Sequence, residues 1–429
     1  MRQLAKLYEH FLLTGKVSTD SRKEVKDTIF FALSGESFNG NKFAAEALDK
    51  GAALAVIDQE EYDKGDSCFL VEDTLETLQE LARLHRSKIN ARVIGITGTN
   101  GKTTTKELIS SVLSKEKQVV FTQGNLNNHI GVPLTILNIT SDTEIAVVEM
   151  GANHIGEIDL LCSIAQPHLG IITNIGKAHL EGFGSIDGVI KAKSELYHFL
   201  KTNHGVAFVN NEDQLLMNLS EGIERITYGF TSEQFTSAIE QIKPFLSLRW
   251  IHKEQAYLCP TNLVGRYNAD NIHAAIATGI YFGISPGNIN KAISDYQPDN
   301  NRSQLVNTET NLIIMDAYNA NPVSMTNAIE NFMEFQPENP WLILGDMFEL
   351  GEASLTEHQK IIELLKKSGF KNIILVGKDF HTFFKTHPYI SFAALPDAEA
   401  YLAVNPIRNA QILIKGSRGM QLEKLLKLM

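Results

Sequence analysis

Short apolar runs alternate with polar or glycine-rich segments along most of the chain. A run of four to eight apolar residues bounded by turn residues is typical of a buried strand. The run at 93–96 is one example, and Leu108, Val112 and Leu113 after it recur at helical spacing. Repeated alternation of strand and helix predicts α/β units with parallel sheets. The predicted strands lie at 28–33, 52–57, 93–96, 119–122, 144–150, 168–175, 206–210, 225–228, 312–315, 341–344, 372–376 and 411–414, with further helices at 42–50, 75–89, 187–200 and 272–278 and a hairpin at 245–258.

The chain is too long, at 429 residues, for one hydrophobic core. We place three domains at 1–88, 89–297 and 298–429. The first is a small α/β binding domain, and the second is a parallel sheet built around the 93–96 strand. Each strand of the third ends in a polar loop, which predicts a doubly wound, Rossmann-like α/β domain.

Composition narrows the class of protein. Hydrophobic residues make up 43% and charged residues 21%, as in a soluble globular enzyme. No apolar run reaches the ~18 residues of a membrane span, and the N-terminus lacks the apolar segment of a signal peptide, so we expect a cytoplasmic protein. The three cysteines are far apart, which predicts free thiols. A net charge of −11 argues against nucleic-acid binding, although local basic groups could still bind an anionic substrate.

A glycine-rich turn between the 93–96 strand and the next helix has the features of a phosphate cradle. The motif G-x-x-G-K-T runs from Gly98 to Thr103, although the general P-loop has a further glycine where this chain has Ile96. Amide N–H groups and the helix dipole favour an anion, Lys102 adds positive charge, and Thr103 can hold Mg²⁺. The alternative is a glycine turn that caps an ordinary helix. The predicted nucleotide contacts here are Gly98, Thr99, Asn100, Gly101, Lys102, Thr103 and Thr104.

Two further chemical groups follow predicted strands. Glu149 ends one strand and His179 comes soon after another, so both fall at the same sheet edge as the glycine-rich turn. They are candidate Mg²⁺ or catalytic groups, with a structural role as the alternative. Mg²⁺ prefers oxygen ligands, so His179 would serve a second metal bridging a phosphate and a carboxylate. Asn127, Asn128 and His129 lie in a glycine-bounded polar segment suited to turns and ligand contacts.

Other polar residues carry weaker signals. Asn268 and Asn271 are three apart on a predicted helix, where their amides could read a base edge or only cap. Arg22 beside Ser21 could pair with a phosphate or could be a solvated surface arginine.

The motifs together resemble the Mur ligases, ATP-dependent amide-forming enzymes of peptidoglycan synthesis, over nearly the whole chain. The glycine-rich turn matches the family's own phosphate loop. Within the family the resemblance is to the branch that adds D-alanyl-D-alanine. The motifs that carry it are Gly-Thr-Asn-Gly-Lys-Thr-Thr (98–104), Val-Val-Glu-Met-Gly-Ala-Asn (147–153), Thr-Asn-Ile-Gly-Lys-Ala-His-Leu-Glu-Gly-Phe-Gly-Ser (173–185), Lys-Ala-Lys-Ser-Glu (191–195), Asp-Ala-Tyr-Asn-Ala-Asn-Pro-Val-Ser-Met (316–325), Leu-Gly-Asp-Met-Phe-Glu-Leu-Gly (344–351) and Lys-Gly-Ser-Arg-Gly-Met (415–420).

The resemblance implies that ATP phosphorylates the terminal carboxylate of a UDP-N-acetylmuramoyl-tripeptide. The amine of D-alanyl-D-alanine then attacks the acyl phosphate. By the family pattern Lys102 contacts the β- and γ-phosphates, Thr103 and Glu149 hold one Mg²⁺, and His179 helps to hold a second. Lys193 matches a lysine that the family carbamylates, which converts a cation into an anion able to bind metal.

The resemblance also implies the remaining ligand contacts. Asn268 and Asn271 match residues on the adenine side, while Arg302 and Asp316 match contacts to phosphate and ribose from the third domain. A ligand that touches three domains implies domain closure and exclusion of water. The implied substrate contacts are Asp20, Ser21, Arg22, Asn127, Asn128, His129 and Asn319.

Two other interpretations stay open. One is a related ligase that adds a different amino acid to the muramoyl chain or glutamate to a folate. The other is a nucleotide-binding regulatory protein without ligase chemistry, against which Glu149, His179 and Lys193 argue. The sequence does not distinguish meso-diaminopimelate from lysine as the third peptide residue, and we expect a monomer.

Overall fold

A computed structural model describes residues 2–35, 38–298 and 302–429. The polypeptide forms three α/β units, so the predicted fold class is confirmed. The boundaries placed at 88/89 and 297/298 stay predictions.

The N-terminal unit is a four-stranded parallel sheet in the order β1-β2-β5-β6, with a short antiparallel hairpin, β3–β4, at one side. Helix α3 packs because Leu78, Leu81 and Ala82 fall on one face and are fully buried, and Asp73 caps its first turn. The elements are α1 Arg2–Thr14, β1 Val17–Ser18, β2 Ile29–Phe31, β3 Ser34–Gly35, β4 Phe38–Asn39, α2 Ala44–Asp49, β5 Leu54–Ile57, β6 Cys68–Leu70 and α3 Thr74–Arg86.

The central unit is a six-stranded parallel sheet in the order β12-β11-β10-β7-β9-β8, followed by a three-stranded antiparallel sheet, β13-β14-β15. The predicted hairpin is therefore β14–β15, and β13 is a strand that the sequence analysis missed. The elements are β7 Arg92–Thr97, α4 Lys102–Leu113, β8 Val119–Phe121, α5 Gly131–Leu137, β9 Ile145–Glu149, α6 Glu157–Ala165, β10 Leu169–Ile172, α7 Leu180–Phe183, α8 Ile186–Thr202, β11 Val206–Asn210, α9 Gln214–Leu219, β12 Glu224–Tyr228, β13 Thr236–Gln241, β14 Ser247–His252, β15 Gln255–Pro260, α10 Asn268–Tyr281 and α11 Pro286–Asp295.

The C-terminal unit is a six-stranded sheet in the order β16-β17-β21-β18-β19-β20, parallel except for the edge strand β16. Apolar clusters cover both of its faces, as expected for a doubly wound sheet. The elements are β16 Gln304–Asn307, β17 Leu312–Asp316, α12 Pro322–Glu334, β18 Pro340–Gly345, α13 Ser354–Ser368, β19 Asn372–Val376, α14 Lys378–His381, β20 Ile390–Phe392, α15 Leu395–Val404 and β21 Gln411–Lys415.

The N-terminal and central units share one hydrophobic core. Leu7 and Phe11 of α1 belong to the same buried cluster as Val148 of β9 and Leu196 of α8. The opposite face of the central sheet is covered by α4, α10 and α11. Within the described ranges, no helix combines the length and the apolar character needed to cross a membrane.

Candidate active site

A cavity of about 820 Å³ lies where the carboxyl ends of the central strands face the C-terminal unit. It is lined by the turn before α4, by Glu149 at the end of β9, by His179 and by loops that follow strands of the C-terminal unit. The predicted sharing of one sheet edge is therefore found. The predicted site residues that line the cavity are Thr99, Asn100, Gly101, Lys102, Thr103, Thr104, Asn127, Asn128, His129, Glu149, His179, Asn268, Asn271, Arg302, Asp316 and Asn319.

The glycine-rich turn has a geometry that only glycine allows at Gly98. Its φ is +141°, and a Cβ there would lie 2.0 Å from Thr173 Oγ1 and 3.0 Å from the Thr173 amide nitrogen. The segment that follows β10 holds the turn, since the Thr99 amide donates to Asn174 O at 2.9 Å and the Asn100 amide to Asn174 Oδ1 at 3.0 Å. These contacts fix the start of α4, whose first amides point out of the helix unpaired within it.

Lys102 is folded back onto this turn. Its Nζ donates to Gly98 O at 2.7 Å and to Thr99 O at 3.1 Å. Burial lowers the pKa of Lys102 to about 8, although Glu149 acts in the opposite direction. A bound phosphate would offer this ammonium group an anionic partner in place of two neutral carbonyls.

Glu149 is 1% exposed and only half satisfied. Its Oε1 accepts hydrogen bonds from Thr103 Oγ1 at 3.2 Å and from Asn127 Nδ2 at 2.8 Å. Its Oε2 is buried and has no hydrogen-bond partner among the described residues. A buried carboxylate oxygen without a partner is costly unless a cation binds it, so the pair of Glu149 and Thr103 fits one Mg²⁺ ion.

Protein side chains alone do not complete a metal site. No group of three or more His, Cys, Asp or Glu side chains that could hold a metal is found in the parts of the chain that the structure describes. Mg²⁺ commonly takes one or two carboxylates and fills its remaining positions with water and substrate phosphates. The geometry therefore suits an ion that arrives with a nucleotide.

His179 faces a residue that the sequence analysis did not assign. Its Nδ1 lies 2.5 Å from Glu349 Oε2 of the C-terminal unit, at ion-pair distance but without hydrogen-bond direction. The His179 side chain lowers the pKa of the Glu349 carboxylate. The His179 backbone is left-handed, with φ +49°, and begins the short helix α7.

Lys193 lies on α8 behind the cavity and does not line it. It is 2% exposed, and its Nζ lies 5.5 Å from the centre of the Phe183 ring. Burial lowers the pKa of Lys193 to about 7, and the positive charge of Lys102 acts in the same direction. A large part of this amine is therefore neutral near pH 7.

Asn268 and Asn271 are engaged inside the protein. Asn268 Nδ2 donates to Val264 O at 2.8 Å, and Asn271 Nδ2 donates to Asn268 Oδ1 at 2.8 Å. Asn271 Oδ1 accepts from Thr105 Oγ1 at 2.9 Å and would touch a Cβ on Gly101 at 2.6 Å. The two amides thus brace the start of α4, and each retains capacity for one further hydrogen bond toward a ligand.

The C-terminal unit adds a cluster of charges to the same cavity. Arg302 stacks on Tyr318 with its guanidinium carbon 3.8 Å from the ring centre, and its Nε is buried without a partner among the described residues. Asp316 Oδ2 accepts from Lys415 Nζ at 2.6 Å. Lys415 is 1% exposed, and sequence reasoning quoted it in a motif without giving it a role. Asn319 is exposed, and its backbone carbonyl accepts a hydrogen bond from Lys415 Nζ at 3.3 Å.

The predicted triplet of the N-terminal unit lies apart from this cavity. Asp20, Ser21 and Arg22 are absent from its lining. Arg22 is paired with its neighbour, with Nε 2.8 Å from Asp20 Oδ1 and an Nη 2.9 Å from Oδ2, and this pairing lowers the pKa of Asp20 to about 2. The Arg22 side chain is 85% exposed, so a ligand could reach it.

Comparison with known proteins places this geometry in a family. Residues 96–279 match the Mur ligase middle domain, and residues 301–418 match the domain described as Mur ligase, glutamate ligase domain. The chain is 36% identical to the UDP-N-acetylmuramoyl-tripeptide--D-alanyl-D-alanine ligase of Bacillus subtilis, over 98% of this chain and 94% of that protein.

Solved structures agree over the full length. A crystal structure of MurF from Acinetobacter baumannii superposes with a TM-score of 0.87 at 29% identity, covering 99% of this chain and 97% of the other. MurF ligase from Thermotoga maritima, solved in complex with ADP, superposes with a TM-score of 0.84 at 26% identity, covering 97% of each chain. The family matches, together with the cavity that joins the central and C-terminal units, show that this chain belongs to the Mur ligase family.

Proposed function

We propose that this protein uses ATP to join D-alanyl-D-alanine to UDP-N-acetylmuramoyl-tripeptide. The observation that carries the proposal is the single cavity in which the phosphate turn, the half-satisfied Glu149 and the cations of the C-terminal unit meet. The full-length similarity to a relative named for this reaction supports the choice of substrates over a folate or another amino acid.

The chemical difficulty is to bring two anions together. The tripeptide carboxylate attacks the γ-phosphorus of ATP, so that a carboxylate oxygen–phosphorus bond forms and the bond to ADP breaks. The dipeptide amine then attacks the acyl carbon, and the C–N bond forms as phosphate leaves and the amine loses a proton. Lys102 and Arg302 line the cavity and reduce the repulsion between phosphate and carboxylate.

Mg²⁺ fits the proposed site. Thr103 and Glu149 would hold one ion, and His179 would help to hold a second once substrate phosphates are present. Bound there, the ions would supply positive charge to the phosphate oxygens. Removal of divalent metal with a chelator should weaken nucleotide binding, and Glu149→Gln should show the same weak binding whether or not metal is present.

We further propose that Lys193 is carbamylated. Its neutral amine would attack the carbon of CO₂, forming an N–C bond and releasing a proton, and the resulting carbamate is anionic. The pKa of about 7 supports this chemistry, because only the neutral amine is nucleophilic. Glu157 and Glu195 both favour the charged form of the Lys193 amine, but their effect is smaller than that of burial.

A rescue experiment tests the carbamate. Lys193→Ala should lose activity, and acetate or another short carboxylic acid should restore part of it by replacing the missing anion. Lys191→Ala is the matched control, because Lys191 lies on the same helix but is exposed. Loss of activity in Lys193→Ala that no carboxylic acid reverses, while Lys191→Ala stays active, would contradict the carbamate.

The remaining contacts follow from the family pattern. Asn268 and Asn271 would lie on the adenine side, Asp316 at the ribose, and Asn127, Asn128, His129 and Asn319 near the peptide. Asp20, Ser21 and Arg22 would bind the UDP end on the N-terminal unit. We place the enzyme in the cytoplasm, supported by its ATP chemistry and its free cysteines, and we expect it to be a monomer.

Phosphate release from ATP tests the proposed reaction. Release should require both the UDP-tripeptide and D-alanyl-D-alanine, and neither glutamate nor a folate should replace them. Assays with the meso-diaminopimelate and lysine forms of the tripeptide would identify the third residue. Release that proceeds without the dipeptide, or that occurs equally with glutamate, would exclude the proposed reaction.

A further inference from the structure

An exposed arginine stands at the rim of the active-site cavity without an acidic partner. Arg418 begins the 3-10 turn Arg418–Met420, directly after β21. Its Nη donates to Tyr318 Oη at 3.3 Å, and its guanidinium carbon lies 5.1 Å from the centre of the Tyr318 ring. Tyr318 lines the cavity, but Arg418 does not. Among the described residues, none places a carboxylate within ion-pair distance of Arg418.

The same tyrosine ring holds a second guanidinium. Arg302 lies 3.8 Å from the ring centre and belongs to the cavity lining, so it is the inner of the two cations. Two like charges on one ring repel each other, and an anion near each of them would relieve the repulsion. The nucleotide phosphates account for Arg302. Arg418, farther out, remains available for a different anion.

An apolar surface lies beside Arg418 and leads toward the reacting centre. Phe348 is 43% exposed, and its amide donates to Ser417 Oγ at 2.8 Å. A Cβ on Gly419 would lie 2.6 Å from the Phe348 ring, so the turn that carries Arg418 packs directly against that ring. The next residue, Glu349, contacts His179 at the proposed metal site. Phe348, which packs against the turn of Arg418, is therefore the chain neighbour of Glu349, which contacts the proposed metal site.

We propose that Arg418 binds the carboxylate of the incoming dipeptide, an inference that rests on the proposed ligase function. The dipeptide would lie along Phe348 with its amine toward His179. Phe348 would contact the two methyl groups. An arginine can bind a carboxylate with two parallel hydrogen bonds.

Steady-state kinetics with each substrate varied in turn tests the assignment. Arg418→Gln should raise KM for D-alanyl-D-alanine by about 10- to 100-fold, the range expected when a charge-assisted hydrogen bond is lost. KM for ATP and for the UDP-tripeptide should change by less than about twofold. Arg418→Lys, which keeps the charge, should fall between the wild type and Arg418→Gln. Arg408→Gln is the matched control, because Arg408 is an exposed arginine of the same unit that does not line the cavity.

A substrate that lacks the carboxylate makes the test specific. D-alanyl-D-alanine amide should be a poorer substrate than the dipeptide for the wild type, by about the same factor as the Arg418→Gln effect. For Arg418→Gln the dipeptide and its amide should have similar kcat/KM. Phe348→Ala should weaken both substrates, since it removes an apolar contact that both of them share.

Two outcomes would overturn the inference. One is an Arg418→Gln enzyme that still prefers the dipeptide over its amide as strongly as the wild type. The other is a rise in KM for ATP instead of the dipeptide, which would place Arg418 with the nucleotide phosphates. Failure of the proposed function itself would look different, because the wild type would then release phosphate without any need for the dipeptide.

Discussion

At the scale of single residues, the site stands out because buried charges there lack ordinary partners. Glu149 leaves one carboxylate oxygen unpaired, and Lys193 keeps a pKa of about 7 under nearly complete burial. Asp270 also lines the cavity, and burial together with Glu212 raises its pKa to about 6, although a hydrogen bond with the Asn210 side chain acts in the opposite direction. Each arrangement costs folding free energy, and shifted pKa values of this kind cluster at functional sites.

Asp270→Asn should therefore stabilise the fold at neutral pH. The pKa of Asp270 is raised from 3.8 to about 6, so the folded state binds more protons than the unfolded state between these values. Wild-type stability consequently falls as pH rises through this window, and the full penalty is present above about pH 6. Urea unfolding at pH 7.5 should show a gain of about 1–3 kcal/mol in the variant, and the gain should shrink as pH falls toward 4.

Asp142→Asn is the matched control for Asp270→Asn. Asp142 is exposed on a surface turn, so its variant should unfold within ~0.5 kcal/mol of the wild type at every pH. A variant at position 270 that is equally or less stable than the wild type at pH 7.5 would show that the hydrogen bond with Asn210 outweighs the cost of burying the charge.

At the scale of elements, the sequence predicts features that follow from a local pattern of residues, and it misses features that depend on contacts between distant residues. The buried strands of the two large sheets were found because their apolar runs are continuous, and Glu149 and His179 were found because they follow such runs. Helix α5 was missed because the segment around its start contains glycine, asparagine and proline. Asn128 looks like a loop residue in the sequence, but its side chain accepts hydrogen bonds from the Ile130 and Gly131 amides at the start of this helix. Strand β13 is polar and half-exposed, so only its pairing with β14 identifies it.

The unassigned site residues have a similar explanation. Glu349 meets His179 across 170 positions of sequence, and Lys415 meets Asp316 across 99. No local period reports such pairings, because they depend on how complete units pack. The motif at 344–351 supports the family resemblance and contains Glu349, but the motif does not show what that side chain contacts.

The phosphate turn supports an element-scale prediction. Gly98→Ala should disable ATP binding, because the new Cβ would lie 2.0 Å from Thr173 Oγ1 and 3.0 Å from its amide nitrogen, and Thr173 directly follows β10 and is hydrogen-bonded to Thr97 of β7. We expect ATP-dependent phosphate release to fall by at least about 100-fold, with a loss of more than ~2 kcal/mol in unfolding free energy. Release kinetics and urea unfolding would measure the two effects.

Gly369→Ala measures the effect of backbone strain in the absence of a steric clash. Gly369 also has a positive φ, +78°, but open space surrounds the position of its Cβ, and it lies at the end of α13 away from the cavity. This variant should lose about 1 kcal/mol and keep full activity. Equal losses of activity in the two variants would mean that the close approach to Thr173 is not what shapes the turn.

At the scale of the whole molecule, the cavity exists only because the central and C-terminal units meet. The contacts that join them around it include the following three. Asn321 Nδ2 donates to Asn100 Oδ1 at 2.8 Å, Lys177 Nζ lies 3.0 Å from Glu357 Oε1, and His179 faces Glu349. Each contact couples a residue in or near the phosphate turn or metal site to the C-terminal unit, so nucleotide binding and domain closure should be linked.

Asn321 allows this linkage to be tested apart from folding. Its Oδ1 caps α12 by accepting from the Ser324 amide at 2.9 Å, while its Nδ2 reaches Asn100 in the other unit. Asn321→Ser should keep the cap but is too short to reach Asn100, so KM for ATP should rise several-fold while the unfolding free energy stays within ~0.5 kcal/mol of the wild type. Asn321→Ala loses both contacts and should cost about 1 kcal/mol more in urea unfolding. If Asn321→Ser binds ATP as the wild type does, the bond between the two asparagines does not couple closure to the nucleotide.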